Sequence, residues 1–303
     1  MYNALFSYLR EKDVEYKGNL KLSSISYVRI GGSIDAGVFP DTRDKLIDVL
    51  RYLYKNGYPF CVIGRMTNLL ADDRGYCGVA VFTSKIKRYE VRGNHAFVEC
   101  GVMLSQLITR LCDLSLGGLE SLFGIPGTLG GMIYSNAGAF EAEISDFLVS
   151  AEVYDIEMDK IRTFGKESLR MSYRHSMLSE DKYKILLSAT LSLSKKESDR
   201  IKADLRAVIS KRKSSQPYNE PSLGSVFKRC EGAPVSGLID ACGLKGYSAG
   251  GAEISKKHAG FIVNRGDATS DDYKRLINHI KDKIFQNYGL RIEEEIEYLS
   301  LLP

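Results

Sequence analysis

Gly124-Ile125-Pro126-Gly127-Thr128-Leu129-Gly130-Gly131-Met132, followed closely by Ser135-Asn136-Ala137-Gly138, places four glycines within eight residues. Glycines lack the Cβ atoms that keep a ligand away from the main chain, and they accept positive φ. Pro126 fixes one φ, and the Thr128 hydroxyl suits an N-cap. A turn of this kind points several backbone N–H groups at one place, which makes a nest for a diphosphate. A tight turn that needs glycine only for packing has the same pattern, so the surrounding segments decide between the two.

Working outward, a helix is expected over residues 103–114 before the turn, and strands over 147–155, 161–164 and 184–193 after it. Upstream, Gly93-Asn94 separates two short apolar runs, 89–91 and 96–100, as a hairpin would. Residues 1–84 read as a β-α-β block: a helix over 4–12, strands over 27–32 and up to Pro40, a helix capped by Asp41 or Thr42 and stopped at Gly57, and strands over 60–63 and 79–83. A charged helix over 195–213 leads into a last block with strands at 225–228 and 261–264, a helix at 235–242, a long helix capped by Ser270 with Asp271 and Asp272 and ended by Gly289, and a last strand over 290–298. Helices and strands do not alternate regularly, so the fold class is α+β rather than a doubly wound sheet.

Composition narrows the function. With 303 residues, 44% hydrophobic and 26% charged, the chain can build two or three globular domains. The net charge of +4 is spread along the chain, without the dense basic run of a nucleic-acid footprint. Six cysteines include no Cys-x-x-Cys pair and read as small hydrophobes in a reducing compartment. Neither a signal peptide nor a membrane-spanning apolar run is recognisable, so a cytoplasmic protein without membrane insertion is expected. No Gly-x-Gly occurs, which removes the Rossmann fingerprint, and the four histidines lack metal-binding spacing, so no metal is expected.

Three segments carry candidate chemistry. In Tyr173-Arg174-His175-Ser176 the arginine is suited to clamp a carboxylate, or to a surface ion pair. Ser225, in Pro221-Ser222-Leu223-Gly224-Ser225-Val226-Phe227-Lys228, has no evident histidine base, so it is a poor nucleophile but a usable proton donor to a strongly basic carbon. In Leu290 to Tyr298, strand alternation puts Glu294 on the face of Ile292 and Ile296 and leaves Glu293 and Glu295 to solvent.

Together these motifs resemble the UDP-N-acetylenolpyruvoylglucosamine reductase family. The matches include Arg29-Ile30-Gly31-Gly32, the glycine-rich turn, Asn136-Ala137-Gly138, Tyr173-Arg174-His175-Ser176, Gly224-Ser225-Val226-Phe227-Lys228, His258-Ala259-Gly260-Phe261-Ile262-Val263-Asn264 and the final acidic segment. The short span between Tyr173 and Ser225 looks like the type II members, which lack a substrate-covering loop. The resemblance implies a two-part FAD-binding fold of the vanillyl-alcohol-oxidase (PCMH) type, residues 1–84 and 85–200, and a C-terminal α+β substrate domain, residues 201–303. It implies FAD, reduction by NADPH, a UDP-sugar substrate, a place in peptidoglycan synthesis, and a monomer without nucleic-acid partners.

The resemblance also implies roles. Ser225 matches the proton donor to C2 of the enolpyruvyl group, while Arg174 and Glu295 match the residues that stabilise the enol-type intermediate. It thus selects Glu295 where alternation selects Glu294, as a bulge near an active site would allow. Cofactor contacts are expected from Gly64, Arg65, Met66, Thr67 and Asn68, from Gly124, Ile125, Pro126, Gly127, Thr128, Gly130 and Gly131, and from Asn136, Ala137 and Gly138. Tyr173, Lys213 and Lys228 are candidates for the substrate. The chain departs from the family at Met66, where a glycine is usual, at Ser135, usually Met, and at Phe140-Glu141, usually Tyr-Gly. A non-catalytic UDP-sugar-binding paralogue with weakened flavin binding is the alternative that the Met66 departure suggests.

Overall fold

The structure is a computed structural model that describes residues 2–230 and 233–300. The chain forms two compact units. The first takes the chain up to Gly18, then Ala36–Arg65 and Gly78–Ser210; the second takes Asn19–Asp35, Met66–Cys77 and the chain from Lys211 on.

The first unit is built on two sheets. In one the strands run in the order Glu15–Lys21, Ser33–Phe39, Tyr76–Phe82, Phe60–Ile63. Phe60 to Ile63 pair in parallel with Val79 to Phe82, as a helical crossover requires. That crossover is Arg43–Lys55, where the Thr42 hydroxyl accepts from the Lys45 amide and Leu46, Ile47, Val49, Leu50 and Leu53 are buried. Gly57, at φ 67°, ends the turn that follows. The second sheet is antiparallel, in the order Lys160–Gly165, Leu148–Asp155, Lys184–Ser192, His95–Glu99, Tyr89–Arg92. Its central strand Lys184–Ser192 is buried from Ile185 to Ala189 and at Leu191, whereas the edge strand Lys160–Gly165 is open to solvent and carries Lys160 and Arg162, charges that discourage edge pairing. Helix Leu104–Asp113 adds Leu104, Leu107, Ile108, Leu111 and Cys112 to the same core.

The second unit has a four-stranded antiparallel sheet in the order Ser222–Ser225, Phe261–Asn264, Ala252–Ile254, Ser248–Ala249. Helix Ser270–Tyr288 belongs to the same core through Tyr273, Leu276, Ile277, Ile280 and Ile284, and the Tyr273 hydroxyl donates to the Ile262 carbonyl at 3.0 Å. Gly289, at φ 69°, closes that helix.

Several expectations shift. Residues 27–32 form no strand: Arg29 and Gly31 take φ of 60° and 127°, which an extended strand cannot contain. Gly32 is required there, because a Cβ would stand 2.2 Å from the Asp73 carbonyl oxygen. The strand expected at 225–228 lies earlier, at Ser222–Ser225, and strand Glu15–Lys21 has no counterpart among the expected elements. The cap of the long helix is Thr269, not Ser270, with Asp272 completing a reciprocal capping box. All six cysteines are free thiols; Cys100 and Cys112 are buried, but Cys77 is exposed. No helix among the described residues is long and apolar enough to cross a membrane.

Thr269→Ala removes the cap and leaves helical amides unsatisfied. The expected loss is about 1–2 kcal/mol of unfolding free energy, read as a lower urea midpoint. An unchanged midpoint would show that the capping box carries no stability.

Candidate active site

In the first unit the glycine-rich turn is held from behind. The Leu129 and Gly130 amides donate to the Val102 and Cys100 carbonyls, both at 2.8 Å, and the Gly124 amide to Ser105 Oγ at 3.0 Å. Thr128, only 1% exposed, caps helix Leu129–Tyr134. The front is open: Pro126 and Gly131 are exposed, and Gly124, Ile125 and Gly130 are half-buried, so main chain itself forms the surface. A Cβ on Gly64, at the end of strand Phe60–Ile63, would stand 2.6 Å from Thr128 Oγ1. Gly64 and the turn therefore meet at hydrogen-atom clearance. This bare, closely set main chain fits a diphosphate-bearing group. Burial pushes the nearby Cys100 thiol up to about 12, so it is a protonated packing group rather than a nucleophile.

Asn136 is fully buried and left-handed, with φ 44°. Its side-chain nitrogen donates to Glu143 Oε2 (2.8 Å) and to the Ser172 carbonyl (2.9 Å), and its oxygen accepts from the Ser145 amide (3.2 Å). The side chain is thus committed to the protein. Next to it, Ala139 pairs with Ala142 across Phe140-Glu141, at φ 52° and 66°, a two-residue turn with both central residues left-handed. Tyr173 and Arg174 form the tip of another tight turn, closed by reciprocal Ser172 and His175 backbone bonds at 3.1 and 3.0 Å. Arg174 is left-handed (φ 54°), packs over the Tyr173 ring at 4.9 Å, and donates to the Gly138 carbonyl at 3.3 Å. Glu143 Oε1 lies 3.9 Å from Arg174 Nη1. Glu143 thus links Asn136, which donates to it, with Arg174, which also holds the Gly138 carbonyl.

In the second unit Ser225 ends its strand after Gly224 (φ 80°) and is exposed. The segment expected as a continuous strand over 290–298 is one only at Glu297–Leu299, with a single bridge, Phe227 to Glu294, before it. Alternation therefore does not govern the three acids. Glu293 pairs with Lys228 at 3.2 Å, and Glu294 receives both Lys281 and the Tyr298 hydroxyl. Burial and that carboxylate raise the Tyr298 pKa, so the phenol stays a donor. Glu295 is half-buried, and its amide donates to the Val226 carbonyl at 2.8 Å, which brings its main chain beside Ser225.

From residues 64–68, Gly64 and Arg65 belong to the first unit and Met66, Thr67 and Asn68 to the second. Arg65 is exposed, with its guanidinium 3.2 Å from Met103 Sδ. Met66 takes φ 53° and is only 4% exposed. The backbone thus keeps a glycine-like conformation with a methionine in it. Asn68 Nδ2 donates to the Glu295 carbonyl at 2.9 Å, a contact that no motif or periodicity announces. Lys213 is exposed, and its carbonyl accepts from Lys257 Nζ.

A family model described as an FAD binding domain matches residues 34–165, and one described as the C-terminal domain of UDP-N-acetylenolpyruvoylglucosamine reductase matches residues 216–299. The UDP-N-acetylenolpyruvoylglucosamine reductase of Caldicellulosiruptor saccharolyticus is 39% identical over 294 residues, 96% of this chain and 94% of its own. The reductase of the same name from Syntrophomonas wolfei is 36% identical over 302 residues, 99% of each chain. The crystal structure of UDP-N-acetylenolpyruvylglucosamine reductase from Thermus caldophilus matches with a TM-score of 0.80 at 29% identity, covering 94% of this chain and 98% of that one. Berberine bridge enzyme from Eschscholzia californica matches 63% of this chain and 43% of its own with a TM-score of 0.50 at 15% identity, a likeness of fold alone.

Met66→Gly relieves a left-handed residue but deletes a buried side chain. The first effect is worth about 1 kcal/mol and the second about 1.5–3 kcal/mol, so the variant is expected to be less stable by about 1 kcal/mol. A higher thermal midpoint for Met66→Gly would reverse that ranking.

Proposed function

The chain belongs to the UDP-N-acetylenolpyruvoylglucosamine reductase family, and on that premise we propose that Arg174, Ser225 and Glu295 carry its reaction. The activity is the NADPH-dependent reduction of UDP-N-acetyl-3-O-(1-carboxyvinyl)glucosamine to UDP-N-acetylmuramate, an FAD-dependent step of peptidoglycan synthesis. The fold is a vanillyl-alcohol-oxidase-type FAD-binding fold with a C-terminal α+β domain.

The observation that carries the residue assignment is the Glu295 amide on the Val226 carbonyl at 2.8 Å. It sets the acid's main chain beside the exposed Ser225, so one small region of the second unit offers both a hydroxyl and a carboxyl group. FAD, when bound, supplies the hydride that NADPH provides and that C3 of the enolpyruvyl group receives. The other steps fall to side chains. Hydride addition pushes charge toward C2 and the substrate carboxylate, so a cation there stabilises the transition state more than the ground state. Arg174 has the planar donor fork for that carboxylate. Ser225 gives its hydroxyl proton to C2 and is reprotonated from solvent, while Glu295 stabilises the enol form.

Residues 1–84 and 85–200 hold FAD, through Gly64 to Asn68, the glycine-rich turn and the main chain of residues 136–138. Residues 201–303 bind the nucleotide sugar, with Lys213 and Lys228 serving its diphosphate and Tyr173 its enolpyruvyl end. The enzyme acts as a cytoplasmic monomer. The support is the near full-length likeness to reductases of one name and the bare main chain of the turn.

Ser225→Ala is the direct test. Bleaching of the flavin by NADPH is expected to continue, while reoxidation by the enolpyruvyl nucleotide slows by at least about a hundredfold, the scale of a lost general acid. Equal slowing of both half-reactions would contradict the assignment of Ser225.

A further inference from the structure

The main chain around Glu295 is fixed from two sides. Toward Ser225, the Glu293 carbonyl accepts from the Lys228 amide at 2.9 Å and the Glu295 amide donates to Val226 at 2.8 Å. On the other side, strand Glu297–Leu299 runs parallel to Leu69–Ala71, and the Glu297 amide donates to the Asn68 carbonyl at 2.8 Å. That ladder starts at Glu297 and its first register pair is Glu297 with Leu69, so it does not reach Glu295. The gap is closed by a side chain: Asn68 Nδ2 donates to the Glu295 carbonyl at 2.9 Å. Asn68 therefore grips the acidic segment twice, once through its carbonyl and once through its amide group.

We infer that Asn68 is a positioning residue for Glu295. Each peptide plane beside an α-carbon restricts where its side chain can point, and here the amide on one side of Glu295 is set by Val226 and the carbonyl on the other by Asn68. Losing the Asn68 donor frees the second plane, and the α-carbon that carries the carboxyl group loses one of its two main-chain restraints. Asn68 is also the last residue of the loop that begins at Gly64, so the loop assigned to FAD and the acid assigned to substrate share one residue. An asparagine is suited to this because its side-chain amide mimics the ladder donor that the register lacks. Neighbouring Glu294, fixed by Lys281 and Tyr298, restrains the segment but does not hold the Glu295 carbonyl.

This inference rests on the proposed role of Glu295, and the experiment separates the two. Asn68→Asp keeps the shape and removes the donor; Asn68→Ala removes both; each is made alone and with Glu295→Gln in the flavin-loaded enzyme. Removing one neutral hydrogen bond is expected to slow flavin reoxidation by the enolpyruvyl nucleotide about tenfold more than flavin reduction by NADPH. Both half-reactions are read with FAD at saturation, set by flavin-fluorescence titration of each apoprotein, so a weakening of the FAD contact also assigned to Asn68 does not enter the comparison. The double variants should be no slower than Glu295→Gln alone, since a positioning residue has nothing left to position. Losses that multiply with Glu295→Gln, or equal slowing of both half-reactions, would overturn the positioning role. If Glu295→Gln by itself leaves reoxidation unchanged, the assignment of Glu295 fails instead.

Discussion

The constraint on which the glycine-rich turn depends is that Gly64 has no room for a side chain. A Cβ there would reach within 2.6 Å of Thr128 Oγ1, and that hydroxyl is buried and engaged as the cap of helix Leu129–Tyr134. It cannot move aside without uncapping the helix. The end of strand Phe60–Ile63 and the glycine-rich turn must therefore meet as bare main chain. Everything assigned to the diphosphate follows from this contact, because partial charges on amides act strongly only where a ligand can approach them closely. The same economy explains Gly130, whose Cβ would sit 3.2 Å from the Cys100 carbonyl that anchors the turn from behind.

Glycine is not used everywhere the backbone is left-handed. Met66, Asn136, Phe140, Glu141 and Arg174 all take positive φ, and all stand in or beside segments assigned to cofactor or substrate. Each such residue costs on the order of 1 kcal/mol or more and persists only where its surroundings over-determine it. For Asn136 the compensation is explicit in three hydrogen bonds with full burial, and for Met66 it is a buried side chain. For Arg174 it is the Ser172–His175 closure of its turn together with the Gly138 carbonyl. Strain at Arg174 presents the guanidinium at a turn tip, where an extended strand would have laid it flat along a sheet face.

What the sequence showed depended on how local the cause was. Helix Arg43–Lys55, strand Phe60–Ile63 and helix Ser270–Tyr288 follow from caps, periodicity and stop signals within a few residues of each other. Residues 27–32 misled because Val28 and Ile30 are buried as in a strand, while the backbone turns at Arg29 and Gly31 to meet Asp72 and Asp73. That cause lies some forty positions away. Alternation selects Glu294, yet the register that alternation needs exists only from Glu297 onward. Motif resemblance selects Glu295 instead because it compares positions without assuming a regular strand. Neither route could reveal the Asn68 to Glu295 bond, since a side-chain donor to a carbonyl more than two hundred residues on leaves no local signature.

The three consecutive acids of the second unit, Glu293, Glu294 and Glu295, sit in different surroundings. Carboxylates this close repel one another, and like charges raise the pKa of the group least able to escape. Here the first two are matched separately. Glu293 lies at the surface against Lys228, and Glu294 is held by Lys281 and the Tyr298 hydroxyl. With a cation beside each of them, Glu293 and Glu294 add less negative potential to the segment than bare carboxylates would. This matters for a substrate that carries a carboxylate and a diphosphate, because an uncompensated acidic triplet would repel it before any chemistry began. Lys228 and Lys281 are therefore the charge partners of Glu293 and Glu294, while the main chain at Glu295 is held by the Val226 carbonyl and the Asn68 side chain.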